Sequence, residues 1–213
     1  MDLVESSLLK ATAAMVVVLA VGILAGLAMD EARTDFLRDE IRDTELQTET
    51  FLVTQQYLRN SSNNYCGVMS DRIPEIADKN AQIGRDLEEF SSKSIGQKDE
   101  YQYLTNKYYI NELRLYVMLQ NYNARCDADA NAIMFFFDGS MDSKRQGAVL
   151  TEYRENVDNQ TYVFSYNIDA DHSEILEMLK TDYEVRDGPV IVIDGNDVYR
   201  EYVPLKRLKQ VID

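Results

Sequence analysis

Residues 132–143 read AIMFFFDGSMDS, and the fold that we predict for the C-terminal part of the chain is built around this segment. Its first half, Ala132–Phe137, is continuously apolar, which is typical of a strand covered on both faces. A helical pattern follows over Ser143–Asn156, with Val149 and Leu150 turned inward. A strand that leads into a helix predicts a strand–helix–strand unit, whose strands pair in parallel through a right-handed crossover.

The same alternation continues to the C-terminus. We predict further strands at 162–166, 190–193 and 198–203, and further helices at 172–183 and 204–212. A hairpin turn over 194–197 (DGND) joins the last two strands, which adds an antiparallel edge to the sheet. The predicted order is therefore β-α-β-α-β-β-α.

Residues 30–125 contain few Gly and Pro and follow a helical pattern. We predict a first helix to about Asn60, a turn over 60–64, a second helix, a loop over 91–97 and a third helix. Three helices with short connections predict a helical hairpin or a coiled-coil-like bundle.

The two cysteines lie at the ends of this hairpin. Cys66 follows the first turn, and Cys126 ends the third helix. They come close if the second and third helices pair antiparallel, so a structural disulfide is the leading hypothesis. Two unpaired thiols and a redox-active pair remain as alternatives, although the spacing is not the Cys-x-x-Cys that lowers a thiol pKa.

The N-terminal segment is strongly apolar. Ala11–Met29 contains no charged residue, and about 20 apolar residues are needed to cross a hydrocarbon core of roughly 30 Å. We therefore predict a transmembrane helix, with a cleaved signal peptide and a buried soluble helix as alternatives. Asn60-Ser61-Ser62 and Asn159-Gln160-Thr161 are glycosylation-type triplets, which favour an extracytoplasmic C-terminal part.

Composition excludes several classes of function. The 213 residues include 37 acidic and 22 basic residues, for a formal net charge of −15. This charge argues against a sequence-independent nucleic-acid binder, because that mode needs clustered Lys and Arg against phosphate. With one His and two Cys, neither a four-Cys zinc site nor a site of several imidazoles can be built. No phosphate loop or dinucleotide fingerprint is present, so no metal and no cofactor is expected.

The C-terminal part resembles the thioredoxin-like family in two places. Residues 135–147 read FFFDGSMDSKRQG, and residues 188–195 read GPVIVIDG. They correspond to the strand, active-site loop and first helix of that family, and to its cis-Pro, third strand and Asp-Gly. The whole chain resembles a membrane-anchored thioredoxin-like protein of the archaeal type.

The resemblance implies an active-site loop without its thiols. Ser140 and Ser143 occupy the two Cys positions, with Met141 and Asp142 between them. A hydroxyl cannot carry out disulfide exchange, which needs a thiolate. No base is evident beside them, since the only His, His172, lies at the start of the next helix. Ser140 is then most simply a helix N-cap.

The resemblance also implies a peptide groove. Pro189 is expected to be cis and, with Gly188, to border a groove in which an extended peptide lies beside the active-site helix. Such a groove binds a peptide through strand-like hydrogen bonds.

These observations predict a tail (1–10), a transmembrane helix (11–29), a helical stalk and hairpin (30–126) and an α/β thioredoxin-like domain (127–213). The first functional hypothesis is a redox-inactive interaction module that binds an unknown protein or peptide partner. The second is a thiol–disulfide oxidoreductase that uses Cys66 or Cys126. The third is a structural envelope protein that self-associates as a homo-oligomer through its helical region.

Overall fold

The computed structural model describes residues 2–61, 64–93, 98–158, 160–170 and 173–212. Three long helices come first: α1 (Asp2–Ser61), α2 (Tyr65–Lys93) and α3 (Lys98–Cys126). They pack on one another in all three pairs. The inward side of α1 repeats at steps of three and four residues, which is the spacing of one helix face; it consists of Thr34, Leu37, Ile41, Thr44 and Thr48.

Ion pairs and close contacts fix the directions of the helices. Arg38 pairs with Glu100 at 2.9 Å and Lys107 with Glu45 at 2.6 Å, so α1 and α3 run parallel. A disulfide joins the start of α2 to the end of α3, so these two helices form an antiparallel hairpin.

The structure contradicts the predicted transmembrane helix. The apolar stretch is the first part of helix α1, which continues without a break to Ser61. In the part of the chain that the structure describes, no helix is both long enough and apolar enough to cross a membrane. The predicted location, a single-pass membrane protein with its C-terminal part extracytoplasmic, is therefore wrong.

Four strands and three helices follow the hairpin: β1 (Asn131–Phe137), α4 (Met141–Asn156), β2 (Thr161–Asn167), α5 (Glu174–Asp182), β3 (Val190–Ile193), β4 (Asp197–Tyr199) and α6 (Leu205–Ile212). Their strand order in the single sheet is β2-β1-β3-β4. Strands β1 and β2 are parallel, whereas β3 is antiparallel to both β1 and β4.

Two details differ from the sequence-based expectation. The second strand–helix–strand unit, β2-α5-β3, does not give a parallel pair. Strand β3 lies beside β1 and runs antiparallel to it. The last strand is also shorter than predicted. It ends at Tyr199, and the chain then turns to α6, where the Val203 N–H donates to the Gln146 Oε1 atom on α4 at 2.7 Å.

The sheet is covered on both faces. Helices α4 and α6 pack on one face, against Ile133, Phe135, Ile191 and Ile193. Helices α3 and α5 pack on the other face, against Met134, Phe136, Phe164, Tyr166 and Val192. The predicted fold class, an α/β domain behind a transmembrane anchor, is thus corrected to a mixed, largely helical molecule with one small four-stranded sheet.

Candidate functional site

The loop between β1 and α4 contains the two serines that were aligned with thiols. Ser140 is the N-cap of α4: its backbone is extended and its Oγ accepts from the Ser143 N–H at 3.1 Å. This is the capping role expected of Ser at a helix start, where the first backbone N–H groups have no partner within the helix.

The Asp138 carboxylate holds this loop together. Its Oδ1 accepts from the Ser143 hydroxyl at 2.7 Å and from the Ser140 N–H at 2.9 Å. Its Oδ2 accepts from the Gly188 N–H at 3.1 Å, across a separation of 50 residues. One side chain therefore connects the start of α4 to the turn before β3.

These hydrogen bonds keep Asp138 ionised. Partial burial alone would raise its pKa, but the hydrogen bonds from Ser140, Ser143 and Gly188 outweigh burial and lower the pKa to about 2. A carboxylate with so low a pKa is a poor proton acceptor at neutral pH.

Ser143 is consequently not an activated nucleophile. Its side chain is 2 % exposed, and its hydroxyl proton is directed at a carboxylate that does not take protons near neutral pH. Activation of a serine needs an adjacent base that can accept this proton.

Gly188 is required by the close approach of this loop. A Cβ at this position would lie 2.8 Å from the Asp138 backbone N and 2.8 Å from the Ser143 Oγ. The Gly188–Pro189 bond is cis, as the family resemblance implied. The structure thus brings Ser140, Ser143 and Gly188 together around Asp138.

The predicted peptide groove is only partly open. Pro189 is buried, and the Gly188 N–H is already bound to Asp138. Met141, the first residue of α4, is 71 % exposed, and Asp138 connects the start of this helix to the turn. Asp142, next in the helix, pairs with Arg145 at 3.3 Å on the surface.

Cys66 and Cys126 form a disulfide, which confirms the leading hypothesis for the two cysteines. The S–S distance is 2.02 Å and the Cα–Cα distance is 5.6 Å. Cys126 lies five residues before β1, whereas the serine loop follows β1. A strand of seven residues separates the two ends by roughly 20 Å, so these sulfurs cannot serve the loop in place of the lost pair.

Sequence reasoning missed two acidic residues that the structure makes prominent. Asp138 links two loops, and Glu112 lies in the interface between α3 and β2 with 2 % of its surface exposed. The apolar run before Asp138 marks the end of a strand, where functional side chains often lie. Glu112 had no such signal, because a single acid in a helical pattern resembles any solvated position.

A small cavity of about 160 Å³ lies between the first turns of α3 and the end of β2, lined by Tyr101, Gln102, Thr105 and Asn167, among others. In the described part of the chain, no group of His, Cys, Asp and Glu is arranged to hold a metal ion. The predictions that concern His172, Asn159 and Ser62 fall outside the described residues.

No family model, curated protein or solved structure matches this chain. The comparisons therefore identify neither a thioredoxin-like nor an archaeal protein.

Proposed function

We infer that the C-terminal part, residues 127–213, is a redox-inactive protein-interaction module. It binds through the surface made by Gly139, Met141 and Gly188. For brevity this surface is called the Met141 surface.

The observation that carries the proposal is the set of hydrogen bonds around Asp138. They fix both loops, so Met141 is presented on a rigid support. An exposed methionine is a costly choice for a surface that contacts only water, and it is a favoured one for contact with varied apolar partners. Because the support is already ordered, binding requires little additional loss of conformational freedom.

The residues of the loop favour a binding function over a catalytic one. The loop has no thiol, its buried hydroxyl has no base, and the only disulfide among the described residues lies at the other end of β1. The resemblance to thioredoxin-like proteins belongs to this proposal: it suggests that the loop keeps the shape of an active site and has lost its reaction.

Charge narrows the class of partner. Residues 127–213 contain 18 acidic and 9 basic residues, so this part carries a net charge of −9. Charge complementarity governs the rate and selectivity of association. The partner that fits is a segment with an apolar side chain for Met141 and basic residues beside it.

The experiment is a peptide-display selection against the intact protein, followed by NMR titration of the selected peptides. Binding should shift the amide signals of Gly139, Met141 and Gly188 and should weaken at least tenfold in Met141→Lys. Met178→Lys is the matched control, since Met178 is 52 % exposed on α5, on the other side of the sheet. Peptides that bind elsewhere, or equal weakening in both variants, would refute the proposal.

A further inference from the structure

Helix α3 covers the outward edge of β2, which is a terminal strand of the sheet. On β2 the even-numbered N–H groups face β1, as the Ile168 N–H does when it donates to the Phe137 carbonyl at 2.8 Å. Because backbone direction alternates along a strand, the odd-numbered groups face outward. Such outward groups form an edge that invites pairing with another chain unless something covers it.

Tyr109 covers the last of these outward positions. Its hydroxyl accepts from the Asn167 N–H at 2.9 Å and donates to the Asn167 carbonyl at 3.2 Å. A side chain of α3 thus takes the place that a neighbouring strand would occupy.

Glu112 covers the next outward position, two residues back along β2. Its carboxyl group accepts from the Ser165 N–H and from the Tyr108 hydroxyl. The side chain is 2 % exposed, and its Oε2 has no hydrogen-bond partner among the described residues. The hydroxyl of the neighbouring Tyr166 is buried and unpartnered as well.

Among the residues that the structure describes, no basic group contributes to the electrostatics of Glu112. Tyr108 and Tyr109 on α3 and Tyr166 on β2 interact with it, and Tyr116 and Tyr183 complete the group around Tyr166. The charged side chains along this stretch of the bundle pair near the surface: Lys107 with Glu45, Arg114 with Glu49, and Lys79 with Asp43.

An ionised Glu112 would therefore be a buried and unpaired charge, which is strongly destabilising. Burial raises the pKa of Glu112, the hydrogen bonds from Ser165 and Tyr108 lower it by less, and the result is about 8. The carboxyl group is thus protonated while α3 is packed on β2 at neutral pH.

We propose that the contact between α3 and β2 is a proton-controlled clamp: protonated Glu112 keeps the helix on the edge of β2, and ionisation of Glu112 loosens the helix and uncovers that edge. Protonated Glu112 accepts the hydrogen bond from the Ser165 N–H on β2 without placing a charge in the interface. In the opened state the group is solvated and ionises at its ordinary pKa near 4.5. Raising the pH between this value and about 8 therefore favours opening, and above about 8 the effect levels off.

The test is amide hydrogen exchange at Ser165 and Asn167 in the full chain, expressed as protection factors corrected for intrinsic rates. Between pH 6 and pH 9, opening of the wild-type edge should increase by up to roughly a hundredfold. In Glu112→Gln, which stays neutral, the two protection factors should change little. Glu152→Gln on the exposed side of α4 is the control and should behave as the wild type does.

Two results would overturn the clamp. One is a wild-type edge whose protection does not depend on pH, and the other is an equal loss of protection in Glu112→Gln. If Glu112→Gln does not fold, the carbon signal of the Glu112 carboxyl group in the wild type decides: a titration midpoint below pH 6 contradicts the proposal, and one near pH 8 supports it.

Discussion

The two faces of the sheet are built from different chemistry. On the face covered by α4 and α6, the contacts are almost entirely apolar. The buried Gln146 accepts from the Val203 N–H through its Oε1, and its Nε2 has no hydrogen-bond partner among the described residues. On the face covered by α3 and α5, Tyr109, Tyr166 and Glu112 lie in the interface, and two of them have buried polar atoms without a partner. The second face differs from the first because one of its buried atoms belongs to a titratable carboxyl group, so the stability of this interface depends on pH.

The two faces of the sheet therefore depend on solvent conditions to different degrees. Apolar burial changes little with pH, whereas an interface that contains a carboxyl group responds to it. The following predictions test the contrast.

The largest expected effect on stability comes from removing the disulfide, which joins α2 to α3. Replacing both Cys66 and Cys126 by Ser should lower the free energy of unfolding by about 4 kcal/mol, because the crosslink closes a loop of 60 residues. Denaturant unfolding measures the loss. Hydrogen exchange should show it first in α2 and α3, and an equal loss of protection on the α4–α6 face would contradict the contrast.

Glu112→Gln should stabilise the protein, by on the order of 3 kcal/mol at pH 7. The pKa of Glu112 is raised to about 8, so the wild type loses stability as the pH rises from about 4.5 to 8. The stability of the variant should be nearly constant over this range, and the two curves should converge below pH 4.5. Urea unfolding at a series of pH values checks this, and parallel curves would show that Glu112 is not the titrating group.

Asp138→Asn should lower the free energy of unfolding by roughly 2 kcal/mol at pH 7, since three hydrogen bonds lose their charged acceptor. The pKa of Asp138 is lowered to about 2, so its contribution is complete above pH 4 and is lost as the pH falls towards 2. The difference between wild type and variant should shrink over that interval. A difference in unfolding free energy that stays constant from pH 7 to pH 2 would show that Asp138 is not ionised as we infer.

The smallest expected effects compare two helix caps, one on each side of the sheet. Ser140 caps α4 and Ser173 caps α5, where it accepts from the Leu176 N–H at 3.3 Å. Each Ser→Ala change should cost about 1 kcal/mol. Ser140→Ala should in addition shift the Gly188 amide signal through Asp138, and Ser173→Ala should not. Identical spectra of both variants at Gly188 would contradict the link between the loops.

Much of the arrangement could be predicted from patterns. The three helices, the order of elements after residue 131 and the disulfide follow from apolar periodicity, from turn residues such as Asp194-Gly195, and from the positions of Cys66 and Cys126. These features depend on local chemistry, which a sequence displays directly.

Other features depend on contacts that local patterns do not encode. The antiparallel entry of β3 follows from how the chain returns to the sheet, which neither the strand nor α5 reveals. An apolar run such as Val16-Val17-Val18-Leu19 occurs both in membrane spans and within other long helices, so the run alone does not distinguish them. Here the membrane assignment was wrong. The roles of Asp138 and Glu112 arise from partners 50 and 53 residues away in the chain.

The disulfide also has a mechanical consequence. If tension is applied between α1 and the C-terminal part, the load passes from Cys66 to Cys126 through the sulfur atoms and bypasses the hairpin. The residues between them cannot lengthen, which removes roughly 200 Å of extension at about 3.5 Å per residue. The hairpin therefore behaves as a short, stiff joint between the long helix and the sheet.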